Sequence, residues 1–225
     1  MITIGVTGGV GAGKSEILGY LEKNYNCRIL MSDNAAKEME LPGGALYEPL
    51  LELMRAASGD EEGQESFLLD NGEIDKQKIA AMIFADPELL GRINGLVHPA
   101  VNRYILDEID CARQSGEKEF FILESALLIE NGYDKILDSM WYIYCRESVR
   151  SERLKSSRGY SDEKIRSIMS RQVSEEKFRA HCDIVIDNTG AFDAPSGARR
   201  QVDEAIALLR EKFPQDEGAA RQGLE

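Results

Sequence analysis

The sequence is short of positive charge. Its 27 Lys and Arg stand against 40 Asp and Glu, a formal net charge of −13 over 225 residues. Such a surface repels the phosphate backbone of nucleic acid, which is held by Lys and Arg clusters that release counterions. It equally disfavours docking on anionic lipid. A small phosphorylated ligand remains compatible, because one local basic pocket can sit inside an acidic shell. Histidine is scarcer still, with two residues, and the four cysteines, Cys27, Cys111, Cys145 and Cys182, are scattered. There is no CxxC pair, and His181 beside Cys182 is a lone neighbour, so the cysteines read as buried free thiols. Long apolar runs are missing too. None approaches the roughly 20 residues of a membrane span, and the start, Met-Ile-Thr-Ile-Gly, has no basic n-region. A cytoplasmic protein is expected, with neither nucleic acid nor membrane as partner.

What is present is a 43% hydrophobic content, enough for one sizeable core. Residues 2–6 form a short β-branched run that stops at glycines, a buried strand entering a loop. Ile17, Leu18 and Leu21 then recur at helical spacing. A second strand fits residues 27–31, followed by a helix over 34–40 with Ser32 or Asp33 as N-cap. From residue 45 to about 115 the pattern is helical. Leu46, Leu50, Leu51 and Met54 mark one face, residues 58–65 read as an exposed acidic loop, and Asn71-Gly72 is a turn. Helices are expected over 75–84 and after Asp86-Pro87, with Pro99 starting or bending a longer one. Strands resume at 119–123, 140–145 and 183–186. Residues 147–179 are charged and helical, 194–213 form a last amphipathic helix, and 214–225 read as a polar tail.

Strands alternating with helices predict an α/β fold, a parallel sheet with helices on both faces. The boundaries expected are one domain over 1–213, with a core of 1–40 and 116–213. A helical lobe is inserted at about 41–115, a helical lid lies at about 147–180, and the tail is disordered.

Gly8-Gly9-Val10-Gly11-Ala12-Gly13-Lys14-Ser15 fits G-x-x-x-x-G-K-[ST] without a mismatch. Glycines let the backbone turn tightly and aim successive N–H groups at phosphate oxygens. The following helix adds its positive end. In this pattern the Lys14 ammonium reaches the β- and γ-phosphates, and the Ser15 hydroxyl meets Mg²⁺. A strand before the loop and a helix after it complete the context. ATP with Mg²⁺ is therefore the expected ligand, held by Gly9, Val10, Gly11, Ala12, Gly13, Lys14, Ser15 and the adjoining Glu16. The loop alone does not choose among kinases, GTPases, motors and transporters. The absence of an N-K-x-D tetrad disfavours a GTPase, and the short chain with a helical lobe favours a small-molecule or nucleotide kinase.

Beyond the loop, further pieces follow in a particular order: Ser32-Asp33; Asn71-Gly72-Glu73-Ile74-Asp75; Ile83-Phe84-Ala85-Asp86-Pro87; Ile93-Asn94; Val97-His98-Pro99; Leu127-Leu128-Ile129-Glu130; Arg153-Leu154; Gln172; and Asp183-Ile184-Val185-Ile186-Asp187-Asn188. In these the chain resembles the dephospho-CoA kinases, from Ile4 to about Asn188. The resemblance implies a P-loop kinase-like fold with an inserted helical substrate lobe and a helical lid. It implies transfer of the ATP γ-phosphoryl group to the ribose 3′-hydroxyl of dephospho-CoA, the last step of coenzyme A synthesis. By position Asp33 matches the family's catalytic aspartate. A carboxylate at a strand end can take or align the proton of the attacking hydroxyl; read without the family, a helix N-cap explains it as well.

The resemblance also implies lid arginines. Arg153 is in place, and Lys155, Arg158, Arg166 and Arg171 are further candidates; each reads equally as part of a solvated helix face. Asn188 lies where a loop near the adenine is expected, though turn chemistry alone explains it as well. His98 lines the acceptor pocket, or packs and caps. Glu124 keeps a carboxylate at a strand end, fit to order the site or to hold Mg²⁺ through water. Four departures stand out. Glu16 replaces the family's usual Thr, Met31 replaces a frequent Asp, and Ala126 replaces Pro. The lid arginine usual four residues beyond Arg153 falls on Ser157, with Arg158 one place on. Runner-up readings are another P-loop kinase and a non-catalytic ATP-responsive switch. A monomer or weak homo-oligomer is expected.

Overall fold

In the computed structural model, residues 1–59 and 67–214 are described. The acidic loop expected over 58–65 falls largely outside them, and so does the tail beyond Pro214. Five strands form one sheet in the order β2-β3-β1-β4-β5. They are β1 (Ile2–Thr7), β2 (Cys27–Met31), β3 (Phe120–Glu124), β4 (Ser139–Tyr144) and β5 (Ile184–Asp187). β1 runs parallel to β3 and β4, and β4 runs parallel to β5. All six residues of β1 and all five of β3 are buried. That is why they read as continuous apolar runs and not as alternating ones.

The chain divides into two compact units, Met1–Ile29 with Ala112–Glu225, and Leu30–Cys111. In the first unit, α1 (Lys14–Asn24) buries Ile17, Leu18 and Leu21, and α9 (Ala198–Lys212) buries Val202, Ala205, Ile206 and Leu209. Both helices join Ile4, Val6, Trp141 and Ile186 in one apolar cluster. The last helix starts four residues later than its sequence suggests, after a turn closed by Gly197 N–H on the Ala194 carbonyl at 2.7 Å.

The charged stretch after β4 is three helices: α6 (Glu147–Arg158), α7 (Asp162–Met169) and α8 (Glu175–His181). Their breaks have local causes. Gly159 takes a left-handed C-cap at φ 62°, and the hydroxyls of Ser161 and Ser174 accept from the N–H of Lys164 and Lys177, each at 3.3 Å.

In the second unit, α2 (Ser32–Met39) begins earlier than expected. Its N-cap is Met31, with no side-chain cap bond, so neither Ser32 nor Asp33 caps it. α3 (Tyr47–Ser58) buries Tyr47, Leu50, Leu51 and Met54. α4 (Lys76–Ala85) is capped by the Asp75 carboxylate, which accepts from Gln77 and Lys78 N–H at 2.9 and 3.2 Å. Pro99 was expected to start or to bend a helix; it lies inside a single one, α5 (Pro87–Ser115). Proline forfeits one helical hydrogen bond. Burial of Leu89, Val101, Ile105 and Ile109 along the same helix outweighs that loss.

Candidate active site

The loop leaves the carboxyl end of β1, between β3 and β4, where ligands bind in open α/β sheets. Three of its glycines hold left-handed or otherwise glycine-favouring conformations: Gly8 at φ 147°, Gly11 at 78° and Gly13 at 88°. The carbonyls along it are occupied. Gly8 O accepts from Lys14 Nζ at 2.9 Å, and Gly9 O from Ala12 N–H at 3.1 Å. Val10 O accepts from Arg150 Nε at 2.9 Å. Ala12 O accepts from Asn188 Nδ2 at 3.0 Å and Arg153 Nη1 at 3.4 Å. With the carbonyls so held, the N–H groups of Gly9, Val10, Gly11 and Gly13 donate to nothing among the described residues. Successive unpaired amides of this kind form an anion-binding concavity.

Lys14 sits at the head of α1, its side chain 18% exposed and its ammonium 3.4 Å from Glu124 Oε1. Glu124 ends β3, and the register Val6↔Glu124 sets it beside the root of the loop. The Glu124 carboxylate thus orders the lysine. Ser15, one residue on, is exposed in the first turn of α1, and so is Glu16. Glu16 does not point idly away: its Oε2 accepts from Asn188 Nδ2 at 3.3 Å. That link, and the bond to Ala12, place the Asn188 side chain against the loop itself. Its Oδ1 is buried without a partner among the described residues.

Of the lid candidates, Arg153 reaches the loop, held also by Cys145 Sγ at 3.5 Å. Burial pushes the Cys145 thiol up, opposed by the Arg153 charge, so it stays protonated and neutral. Arg158 does not substitute for the missing arginine at Ser157. It ends α6, exposed, with its guanidinium 5.9 Å from the Tyr160 ring centroid. Lys155 pairs with Asp162, and Arg166 lies 3.6 Å from Glu163. Arg171 is exposed. The residue that sequence reasoning passed over is Arg150, one helical turn before Arg153. Residues three apart share a helix face, and that spacing was the available signal.

Asp33 and His98 belong to the second unit. Asp33 is exposed in the first turn of α2. His98 is half-buried in the middle of α5, not at a helix start, so it caps nothing.

The loop geometry gives one test. A Cβ on Gly8 would stand 2.5 Å from the Ile143 carbonyl oxygen, at a φ that side chains rarely adopt. Gly8→Ala is expected to cost about 1–3 kcal/mol, and each kcal/mol lowers the melting temperature by about 2–4 °C in a chain of this size. A melt unchanged by the substitution would contradict the crowding at this point.

No helix among the described residues is long and apolar enough to cross a membrane. A glycine loop closing the first strand of a parallel sheet, with a half-buried lysine and an arginine helix beside it, is the setting of a P-loop phosphate-binding protein. The family model for dephospho-CoA kinase matches residues 2–193, and the chain belongs to that family. The dephospho-CoA kinase of Shouchella clausii is 30% identical over 204 residues, 91% of this chain and 96% of that one. That of Geobacillus kaustophilus is 30% identical over 210 residues, 93% and 96% of the two chains. The solved dephospho-CoA kinase of Campylobacter jejuni shares the fold at a TM-score of 0.67, with 20% identity over 93% of this chain and 98% of that one. The family is one of ATP-dependent phosphotransferases with an alcohol acceptor.

Proposed function

We propose that the chain moves the γ-phosphoryl group of ATP onto the ribose 3′-hydroxyl of dephospho-CoA, the closing step of coenzyme A synthesis. The family match over residues 2–193 carries this reading. The unpaired loop amides and Lys14 hold the triphosphate. The amides are unpaired and the ammonium is anchored beside them by Gly8 O and Glu124, an arrangement that limits the reorganisation opposing transfer. Arg153 lies at the same loop and neutralises charge that develops on the transferring group. Asp33 accepts or aligns the proton of the 3′-hydroxyl as its oxygen attacks in line. The helical unit is assigned to the acceptor, with His98 on it, and the helices over 147–180 to a lid that excludes water.

The donor set suits a cation that arrives with the phosphates. No group of three or more His, Cys, Asp or Glu able to hold a metal occurs among the described residues. Mg²⁺ keeps several waters and binds through substrate phosphates with few protein ligands. Ser15 would hold it through its exposed hydroxyl, with Glu124 ordering its water. When bound, it screens the charge of the β- and γ-oxygens.

The test is ATP consumption against a panel of acceptors. ADP is expected to form with dephospho-CoA and not with nucleoside monophosphates, shikimate or adenosine. Turnover with a nucleoside monophosphate and none with dephospho-CoA would overturn the assignment.

A further inference from the structure

Arg150 is the best-held cation at the loop. Its Nε–H donates to Val10 O at 2.9 Å, and one Nη2–H donates to Gln172 Oε1 at 2.5 Å. Two anchors on different elements fix the plane of the guanidinium. Gln172 lies just beyond α7, so the arginine also ties that turn to α6 and the loop. A guanidinium has five N–H donors. Three of them, both on Nη1 and the second on Nη2, have no partner among the described residues.

The loop is cut to fit this side chain. A Cβ on Gly9 would meet Arg150 Nη2 in a clash, with Cζ at 2.5 Å and Nη1 at 2.7 Å. A Cβ on Gly11 would lie 3.0 Å from the Arg150 carbonyl and 3.1 Å from Leu154 Cγ. Two glycines of the motif therefore make room for α6. Gly9 sits beside the guanidinium itself, and its own N–H is one of the unpaired loop amides.

Charge balance sets Arg150, like Arg153, apart from the paired cations of these helices. Lys155, Arg166 and Arg179, on the same run of helices, each end on a carboxylate. Arg150 is half-buried and touches only neutral oxygens, with no ion pair among the described residues. A cation withdrawn from water without a counter-charge is costly. At the rim of an anion-binding loop, an incoming anion removes that cost.

We propose that Arg150 is a phosphate-binding residue of this site, supplying through its three unengaged N–H groups the second lid charge that Ser157 cannot. Val10 and Gln172 orient it, and Arg153 is its neighbour one turn on. The proposal rests on the ATP-kinase reading but not on the identity of the acceptor. Arginine suits the place because its planar fork can keep a backbone contact while gripping phosphate oxygens, which a lysine ammonium does less well.

Binding of a non-hydrolysable ATP analogue and of AMP, measured by calorimetry without acceptor, tests it. Arg150→Gln is expected to weaken the ATP analogue tenfold or more and to change AMP less than twofold. Arg150→Lys recovers part of the loss, and Arg199→Gln, which removes an exposed surface pair with Asp193, changes neither ligand. ATP-analogue affinity within twofold of the parent in Arg150→Gln, or equal loss of both ligands, overturns the proposal. Should the variants fail to fold, phenylglyoxal labelling of the unaltered protein decides, read residue by residue by mass spectrometry. The ATP analogue but not AMP is expected to shield Arg150; equal labelling overturns it. Neither readout uses dephospho-CoA, so an enzyme inactive on that acceptor strikes the functional reading and leaves this one standing.

Discussion

Lys14→Met is expected to lower turnover about 10²–10³-fold, the loss typical of removing one pre-aimed donor from a site of developing negative charge. The ammonium is held by Gly8 O and faces Glu124 Oε1 across 3.4 Å. It is therefore placed before ATP binds. Methionine keeps most of the stem and removes the charge. Lys14→Arg is not expected to restore activity, because the broader guanidinium does not fit where a point charge is held. Glu124→Gln separates ordering from charge. It keeps the shape of the lysine's partner, so its loss of turnover should be smaller than that of Lys14→Met. The checks are steady-state kinetics with ATP varied and a thermal melt. Turnover within threefold of the parent in Lys14→Met would remove the lysine from the mechanism.

Asp33→Asn is expected to leave ATP affinity within twofold while kcat falls about 10²–10⁴-fold, the range for loss of a positioned general base. The side chain caps nothing and is exposed in the first turn of α2. The substitution therefore removes only a favourable charge at a helix start, worth about 0.3–1 kcal/mol of stability. A large fall in kcat with a near-unchanged melt is a catalytic signature. Unchanged kcat would leave Asp33 with no part in the chemistry.

The sheet was legible because its strands are short apolar runs that end at glycine or polar residues. Ile2–Thr7 is the plainest, since both its faces are covered and no alternation blurs it. The strand–loop–helix setting of residues 8–15 was legible because its glycines mark backbone conformations that few other residues adopt. The unbroken α5 was legible only as one of two readings, Pro99 starting a helix or lying within one. Proline argues for a break at any internal position, and only the burial of Val101, Ile105 and Ile109 beyond Pro99 carries the helix through. Asp33 as N-cap failed for a related reason: many residue types can precede a helix, and here Met31 does, without a side-chain bond. Arg150 was hidden among the basic residues of α6 to α8, all alike in a linear reading. What distinguishes it is packing against Gly9 and Gly11, a relation between segments about 140 residues apart in the chain. Glu16 was conspicuous as a departure from the family, but its link to Asn188 also needed the fold.

The central claim is the position of the transferred group. Protein, ATP, Mg²⁺ and dephospho-CoA incubated together and followed by phosphorus NMR should yield one new phosphomonoester, coupled to the ribose 3′ proton, with one ADP formed per ester. A phosphomonoester at the 2′ position, or ADP formed with no new ester, would contradict it.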